Sequence, residues 1–482
     1  MEPISTGVPG LDRILNGGLR PRGLHVLGGM PGTGKTTLAQ QISYHHAKSG
    51  GRVLYLVALS ETAERLVGHA SGFSFFDPAM VAHRIYYISV YGKLEEGGLP
   101  AVLDEARMLA LERKATLVCL DGLSTLKAVA PTPLDFRRFM FDLNAQIRSL
   151  GATTIIIGPW VEWEADDPEF AVAEGIVTLS LEPATDGADR YLEVLKLRGS
   201  QYLEGRHAFD ITKDGIQLFP RLEAVFADEG VSQPNPNWQR ASTGAPGLDQ
   251  MLQGGIPTGS VTLLAGVPGA GKTVLGLSFL AEGGRNGERG IYLGFDEAPS
   301  RLLRKSDALK LRVGELVDNG NLEVHWRPAL ELIPDEVAWW LLSQVDSSGA
   351  QRLVIDGIDA MITRFGNDRR SRSFITALMS ALRGRNITTL VTYELPRVGG
   401  AGLDQFYERV SSATDNIIVL QYVELRSELR RLISILKVRD SDFDNSIREF
   451  IIAEGGLRVS NTFGGTEAVL TGIGHWRGRR TQ

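Results

Sequence analysis

The chain has 482 residues, of which 43% are hydrophobic and 22% charged, and its formal net charge is −6. This length predicts at least two domains of ordinary globular composition, and the mildly acidic balance argues against a general nucleic-acid coat. We find no secretory signal and no apolar run of about 18 residues, and we therefore expect a cytoplasmic protein without a membrane span. Cys119 is the only cysteine, which excludes an intramolecular disulfide, and its apolar neighbours predict an inert core residue.

A glycine-rich loop follows the first short apolar run. Residues 29–36 are Gly-Met-Pro-Gly-Thr-Gly-Lys-Thr and fit the phosphate-loop pattern G-x-x-x-x-G-K-S/T. Glycines let backbone N–H groups approach phosphates, the lysine reaches the terminal phosphates, and the last hydroxyl holds Mg²⁺. The pattern predicts a nucleotide site formed by Gly29, Gly32, Thr33, Gly34, Lys35 and Thr36, with Thr36 also at the metal.

An internal repeat duplicates this loop. The pattern returns at residues 266–273, and Ser-Thr-Gly-x-Pro-Gly-Leu-Asp occurs at both 5–12 and 242–249. Both offsets are 237 residues (266 − 29 and 242 − 5), which is too long for a solenoid and indicates a tandem duplication. A second nucleotide site is predicted at Gly266, Gly269, Ala270, Gly271, Lys272 and Thr273.

Apolar runs alternate with helical patterns in both copies. In the first copy they predict strands at 52–59, 85–88, 117–121 and 153–157, helices at 101–113 and 134–150, and a terminal hairpin of 176–181 with 191–197. The second copy repeats this order with strands at 260–265, 290–295, 352–356, 388–392, 416–422 and 432–437, and a helix at 371–384. This is the pattern of an α/β protein with two domains, each a mostly parallel sheet flanked by helices.

The segment between the copies has weak periodicity and a Pro-Asn-Pro run at 234–236, so we predict a linker over residues 221–241. The predicted domains are residues 1–220 and 242–463. Residues 464–482 are rich in glycine and arginine and are expected to form a short basic tail.

Acidic residues end two of the predicted strands downstream of the phosphate loops, Asp121 in the first copy and Asp356 in the second. An acid at this point can hold Mg²⁺ through water beside the hydroxyl of the loop. A carboxylate that caps a turn is the alternative interpretation, and it is weakened because both copies carry the acid.

A second acidic position follows the strand after each phosphate loop. The second copy has Asp296-Glu297 and the first has Ser60-Glu61. A carboxylate there can orient the attacking water or accept a hydroxyl proton, so Glu61, Asp296 and Glu297 are candidate catalytic residues. Ordinary surface acids at a strand end are the alternative.

Paired cations alternate on a late strand of each copy, Lys196 with Arg198 and Lys437 with Arg439. Alternation places both side chains of a pair on one face of the strand, which suits a phosphate reached from outside their own pocket. A plain solvated strand face is the alternative.

Several rarer segments give the chain a specific resemblance. Over about residues 3–471 it resembles the KaiC family, the double-ring ATPases and autokinases of the cyanobacterial clock within the RecA-like superfamily. The segments that carry this resemblance are Leu-Lys-Leu-Arg-Gly-Ser at 195–200, Phe-Asp-Ile-Thr-Lys-Asp-Gly-Ile at 209–216, Leu-Gln-Tyr-Val-Glu-Leu-Arg at 420–426 and Ile-Arg-Glu-Phe at 447–450.

The resemblance implies two tandem RecA-like domains that each form a hexameric ring, with ATP and Mg²⁺ bound between subunits of a homohexamer. It also implies that Lys196, Arg198, Lys437 and Arg439 act in trans on a neighbour's phosphates. The phosphorylated pair of the family falls on Ser411-Ser412, which implies Ser/Thr autokinase activity in the C-terminal domain. Without the resemblance, this pair is uninformative.

Two departures from the family affect these expectations. The family has two glutamates where this chain has Ser60-Glu61 and Asp296-Glu297, so hydrolysis in the first ring depends on Glu61. The family's long acidic tail, which docks the activator KaiA, is missing, so activation by KaiA is not expected. A KaiB-like protein or another signalling partner remains a candidate, in circadian or other regulation.

Two other functions are compatible with the sequence. One is a nucleotide-gated scaffold that assembles on ATP and recruits partners with little turnover, which Ser60 favours for the first ring. The other is a DNA-dependent ATPase like RecA or RadA. The acidic net charge and the lack of a basic DNA-binding module argue against it, so nucleic acid is not an expected partner.

Overall fold

The computed structural model describes residues 2–58, 63–159, 171–184, 187–226, 239–330, 332–365, 368–395, 413–425, 427–439, 441–462, 466–467 and 475–476. They belong to two compact units, Met1–Ala224 and Val225–Gln482, and each unit has its own large sheet. None of the described helices combines the length and the hydropathy needed to cross a bilayer.

The sheet of the first unit is mostly parallel. Its strands are β1 (Leu24–Gly29), β2 (Val53–Val57), β3 (Ile85–Ser89), β4 (Leu117–Asp121), β5 (Thr153–Ile157), β6 (Gly175–Ala184), β7 (Gly187–Leu197), β8 (Arg206–Thr212) and β9 (Gly215–Phe219). They are ordered β3-β2-β4-β5-β1-β6-β7-β8-β9. Strands β1 to β6 run parallel, and β6 to β9 are antiparallel. The predicted parallel sheet and its terminal hairpin are thereby confirmed.

The helices described up to residue 226 are α1 (Leu11–Ile14), α2 (Lys35–Lys48), α3 (Ala63–Ala70), α4 (Tyr91–Arg113), α5 (Leu123–Val129), α6 (Pro133–Ser149) and α7 (Leu222–Val225). Helix α4 begins ten residues before the predicted start at residue 101. The reason is a kink. Gly98 has a φ of 64°, and Pro100 then occupies the first turn of the second helical segment, so the periodicity of the two segments is not continuous.

Successive residues of the central strands point to opposite faces, and both faces are apolar and covered. Val53, Tyr55 and Cys119 belong to the layer that packs on α2. Leu54 and Leu56 belong to the layer under α4 and α6. Cys119 is fully buried, and burial raises the pKa of its thiol to about 12, so the predicted core cysteine stays protonated.

The second unit repeats this architecture. Its strands are β10 (Arg240–Ala241), β11 (Ile256–Pro257), β12 (Val261–Gly266), β13 (Gly290–Gly294), β14 (Leu322–Trp326), β15 (Arg352–Asp356), β16 (Thr388–Glu394), β17 (Asn416–Leu425), β18 (Glu428–Val438), β19 (Arg448–Ala453), β20 (Gly456–Thr462), β21 (Thr466–Glu467) and β22 (His475–Trp476). The large sheet has the order β14-β13-β15-β16-β12-β17-β18-β19-β20, which matches the first unit strand for strand. Strands β10 and β11 form a small antiparallel pair, as do β21 and β22.

The helices described in the second unit are α8 (Pro246–Met251), α9 (Lys272–Arg285), α10 (Pro299–Ala308), α11 (Val313–Asp318), α12 (Pro334–Ser348), α13 (Asp359–Ile362) and α14 (Asp368–Gly384). In each unit the phosphate loop joins a central strand to a 14-residue helix, β1 to α2 and β12 to α9. The loops therefore lie at the carboxyl edge of the parallel strands, where ligands bind in open α/β sheets.

Candidate functional site

The phosphate loops have the backbone geometry that their glycines predict. Gly34 and Gly271 stand directly before α2 and α9 with φ angles of 104° and 113°, a region that residues with a Cβ disfavour. These turns leave the first N–H groups of both helices facing the loop, where the helix dipole favours anions.

Lys35 of the first loop is held at the loop itself. Its Nζ donates to Gly29 O at 2.7 Å and to Met30 O at 2.8 Å. Burial lowers the pKa of Lys35, and the nearby carboxylate of Asp121 opposes this shift. The ammonium group is therefore close to both the loop and the acid.

Asp121 ends β4 beside this loop and is almost fully buried. Its Oδ2 accepts hydrogen bonds from Thr36 Oγ1 at 3.1 Å and from Tyr55 OH at 3.3 Å. The loop hydroxyl and the strand-end acid, which are 85 residues apart in the chain, are in direct contact. The structure thus brings together the two residues predicted as the metal site of the first unit.

The second loop lines a cleft of about 350 Å³. Two lysines line the cleft, Lys272 and Lys305, and so does Thr273. The cleft also has five carboxylates, which are Asp296, Glu297, Asp356, Asp359 and Glu394. When all these groups are ionised, the cleft has an excess of three negative charges, so it requires cations to accept a polyphosphate.

Asp356 is fixed in this cleft by two hydroxyl groups. Tyr292 OH donates to its Oδ2 at 2.6 Å and Thr392 Oγ1 donates to its Oδ1 at 2.6 Å. Burial, and then the charge of Asp356, raise the pKa of Tyr292, so the phenol remains a donor. Both oxygens of Asp356 thereby accept a hydrogen bond, which fixes the orientation of the carboxylate at the cleft.

The neighbouring acids Asp296 and Glu297 differ in their surroundings. Burial raises the pKa of Asp296, and the carboxylates of Asp359, Asp356 and Glu297 raise it further. Both oxygens of Glu297 instead accept hydrogen bonds from Lys305 Nζ, at 2.7 and 2.8 Å. A lysine thus engages Glu297, whereas burial and neighbouring carboxylates dominate the surroundings of Asp296.

The residues present fit a magnesium ion in both units. Each site offers a loop hydroxyl and a strand-end carboxylate, the oxygen ligands that Mg²⁺ uses together with phosphates and water. Among the described residues there is no cluster of three or more His, Cys, Asp or Glu side chains arranged for a metal. An ion here would thus depend on the nucleotide for much of its coordination.

Four residues of the sequence hypothesis lie outside the described residues. They are Ser60 and Glu61 of the first acidic position, and the candidate phosphorylation pair Ser411 and Ser412.

The paired cations lie at the sheet edge opposite their own phosphate loop. Lys196 pairs with Ile176, which pairs with Val26 of β1. Val26 precedes Gly29 by three residues, or about 10 Å along the strand. Arg198 follows the end of β7 and donates to Ala171 O at 3.0 Å, farther still from the loop.

The second pair has the same placement. Lys437 Nζ donates to Thr414 O at 2.7 Å, and the Arg439 guanidinium lies 3.5 Å from Asp415 Oδ1. Both partners precede β17, at the amino edge of the parallel strands. Asp415 also binds Arg383, at 2.9 Å. Neither pair of cations is therefore positioned to contact the phosphate loop of its own unit.

Sequence reasoning missed six residues of these sites: Tyr55, Tyr292, Lys305, Thr392, Asp359 and Glu394. One signal was available, because Tyr55 and Tyr292 obey the repeat offset of 237 residues (292 − 55). Asp359 follows Asp356 by three residues and begins α13, and Glu394 ends an apolar strand as Asp356 does. Lys305 gave no signal, since a lysine on an exposed helical face is ordinary.

Comparison with known proteins agrees with this geometry. The family model described as "ATPase: KaiC" matches the chain twice, over residues 4–223 and 241–462. The chain is 29% identical to the circadian clock oscillator protein KaiC of Picosynechococcus sp., with 98% of this chain and 92% of that protein covered. Identity is 29% to the KaiC of Rippkaea orientalis (98% and 91% covered) and 28% to the circadian clock protein KaiC3 of Synechocystis sp. (98% and 94% covered). Both family matches contain a phosphate loop and its strand-end acid.

Proposed function

This chain belongs to the KaiC family of ATPases, and from this premise we propose that it is a magnesium-dependent ATPase and Ser/Thr autokinase that works as a double-ring homohexamer. The observation that carries the proposal is the cleft of the second unit, where Lys272, Asp356 and Asp296 converge. Phosphoryl transfer needs a phosphate clamp, a cation that neutralises the phosphate charge, and a proton acceptor. Lys272 would clamp the phosphates, Asp356 would help to hold the cation, and Asp296 would accept the proton.

Each residue has a separate role in the proposed reaction. Lys272 binds the terminal phosphates, and the loop N–H groups hold the phosphate chain. Thr273 and Asp356 would hold Mg²⁺, which supplies positive charge at the phosphates. Tyr292 and Thr392 keep the carboxylate of Asp356 in one orientation.

Asp296 accepts the proton in both reactions. In hydrolysis the proton comes from water, and in autophosphorylation from the hydroxyl of Ser411 or Ser412. The Oγ–Pγ bond to serine forms while the bond between Pγ and the oxygen bridging it to Pβ breaks, and ADP leaves. Lys305 holds Glu297 and so keeps that second acid beside Asp296 without making it the acceptor.

The opposite placement of the paired cations supports the ring. The paired cations lie at the edge of each sheet that is far from its own phosphate loop; they are Lys196, Arg198, Lys437 and Arg439. The phosphates that they contact would therefore be bound by a neighbouring protomer. A site completed by a neighbour links nucleotide binding to assembly, and a closed ring satisfies every such site.

For the first unit, a nucleotide-gated scaffold with little turnover is a second candidate function. At positions equivalent to Asp359, Thr392 and Glu394, the first unit has Ser124, Ile157 and Pro159. These three positions thus offer no acid in the first unit, whereas they offer two in the second. Because the relatives are circadian clock proteins, we propose that this ring recruits a KaiB-like or other signalling protein when ATP is bound.

Mass spectrometry of the full-length protein tests the kinase and the ring together. After incubation with ATP and Mg²⁺, intact mass should increase by one or two phosphates, and peptide sequencing should locate them at Ser411 or Ser412. Native conditions should show hexamers. The Lys272→Ala variant is the control and should stay unmodified. Assembled hexamers whose peptide remains unmodified after a day would reduce the proposal to an ATPase or scaffold.

A further inference from the structure

An acid stands beside the phosphate-loop lysine of the second unit. Glu394 Oε2 lies 3.7 Å from Lys272 Nζ. Strand pairing explains this position, because β16 runs beside β12 and places Glu394 level with Gly266, the residue that begins the loop. The N–H of Glu394 donates to Asp359 Oδ1 at 3.3 Å, which fixes the strand end. About half of the Glu394 side chain is exposed, so it is not a buried structural charge.

The ammonium of Lys272 has three donors, and three groups of the protein surround it. Nζ donates to Gly266 O at 2.8 Å and to Val267 O at 3.1 Å, and Glu394 is the third neighbour. The terminal phosphate of a nucleotide in this loop needs the same ammonium group. A phosphate and the Glu394 carboxylate are both anions, and so they cannot both approach Lys272 closely without repulsion.

The first unit lacks this acid. Leu27 of β1 pairs with Ile157 of β5, so the residue level with Gly29 is Pro159. Lys35 has contacts to Gly29 O and Met30 O that match those of Lys272, but the equivalent strand offers no carboxylate. The two loops of one chain thus form an internal comparison.

We propose that Glu394 competes with the terminal phosphate of a bound nucleotide for Lys272 and thereby sets the preference of the second site between nucleoside triphosphate and diphosphate. The inference rests on nucleotide binding at this site, as proposed above. Glu394 acts at the end of the phosphate chain, because the loop N–H groups hold the β-phosphate and the lysine extends past them to the γ-phosphate. Its penalty therefore falls on ATP more than on ADP.

Binding measurements on full-length variants test this competition. In a Lys35→Ala background, titration calorimetry with a non-hydrolysable ATP analogue and with ADP, both with Mg²⁺, reports the second site. Glu394→Gln removes the charge and keeps the shape. We expect this variant to lower the dissociation constant of the ATP analogue about tenfold, which is the effect expected from removing one partly solvent-screened charge at this distance. The dissociation constant of ADP should fall by less than about twofold. Glu394→Asp keeps the charge, so the dissociation constant of the ATP analogue should stay closer to that of the parent protein.

Two controls separate competition from a general charge effect. Glu315→Gln removes an exposed acid from α11 of the same unit and should change neither dissociation constant. Glu394→Gln in a Lys272→Ala background should leave the first site unchanged. High salt should reduce the difference in affinity for the ATP analogue between the parent protein and Glu394→Gln, because the carboxylate is half exposed and its charge is screened.

Unchanged binding in Glu394→Gln, or equal tightening of the ATP analogue and ADP, would overturn the competition while leaving nucleotide binding intact. A Lys35→Ala protein that binds no nucleotide is a different failure. It would refute nucleotide binding at the second site, and the competition would be refuted with it.

Discussion

Asp296 and Glu297 are adjacent in the chain, but their surroundings give them different chemistry. Burial and three nearby carboxylates raise the pKa of Asp296, whereas Lys305 holds both oxygens of Glu297. A raised pKa makes a carboxylate a stronger base, but it also means that protonation occurs at a higher pH than usual. Only the ionised form can accept a proton.

We therefore expect turnover at the second site to fall as the pH drops through the raised pKa of Asp296, above the usual carboxyl value of about 4. The measurement is the pH–rate profile of ATP hydrolysis in the Lys35→Ala protein. Asp296→Asn should lower turnover about 10²–10⁴-fold and remove this acid limb. Glu297→Gln is the matched control and should keep the limb. An acid limb that persists in Asp296→Asn would assign the proton acceptor to another group.

At the scale of elements, apolar runs predicted the central strands of both sheets, but they missed β8, β9, β14, β19 and β20. They also did not predict which strands are neighbours. Glu394 reaches Lys272 only because β16 pairs with β12, and these strands are more than 120 residues apart. A single sequence shows that a strand exists from its local pattern, whereas pairing depends on the packing of the whole unit. The phosphate loops were predictable because all their chemistry lies within eight consecutive residues.

The repeated Ser-Thr-Gly-x-Pro-Gly-Leu-Asp segment was easy to recognise in the sequence, but the sequence did not indicate what it does. Asp12 accepts hydrogen bonds from Ser5 Oγ at 2.7 Å and from both the N–H and the hydroxyl of Thr6. Asp249 has the same bonds in the second unit. The repeat is therefore structural: its acid closes the turn that leads into α1 or α8.

Arg352 joins three elements of the second unit and is almost fully buried. It begins β15, pairs with Glu288, and donates to the carbonyls of Ser242 and Phe279, each at 2.7 Å. An arginine at a strand start predicts an exposed residue, so sequence alone gave no sign of this role. The equivalent residue of the first unit is Leu117, which fills its position by apolar contact.

We expect Arg352→Ala to lower the free energy of unfolding of the second unit by about 2–4 kcal/mol, because two carbonyls lose their donor and a cavity forms. Differential scanning calorimetry should show one transition shifting to lower temperature. Arg289→Ala is the matched control, since this exposed neighbour also donates to two carbonyls, and it should cost less than about 1 kcal/mol. Equal losses in the two variants would contradict the importance of burial.

For the whole molecule, the two edges of each sheet have different functional groups that complement each other. The carboxyl edge has the phosphate loop and acids, and the amino edge has the Lys and Arg pair. In the second unit, Asp415 lies between Arg383 and Arg439 and positions the second cation of the pair. If each cation pair completes a neighbour's site, as proposed above, a ring of identical chains is the arrangement in which every site is complete.

Mixing two inactive variants tests this arrangement. In a Lys35→Ala background, one chain has Lys272→Ala and the other has Lys437→Ala with Arg439→Ala, and neither should hydrolyse ATP at the second site alone. If the cations act in trans, random mixed rings contain interfaces that join an intact loop to intact cations. These are about a quarter of all interfaces in an equal mixture, so about a quarter of the parent activity should return. If the cations act on their own unit, every second site stays defective and no activity returns. Size-exclusion chromatography of the same samples with ATP and Mg²⁺ shows whether mixed rings form, and activity absent from assembled mixtures would refute the trans contact.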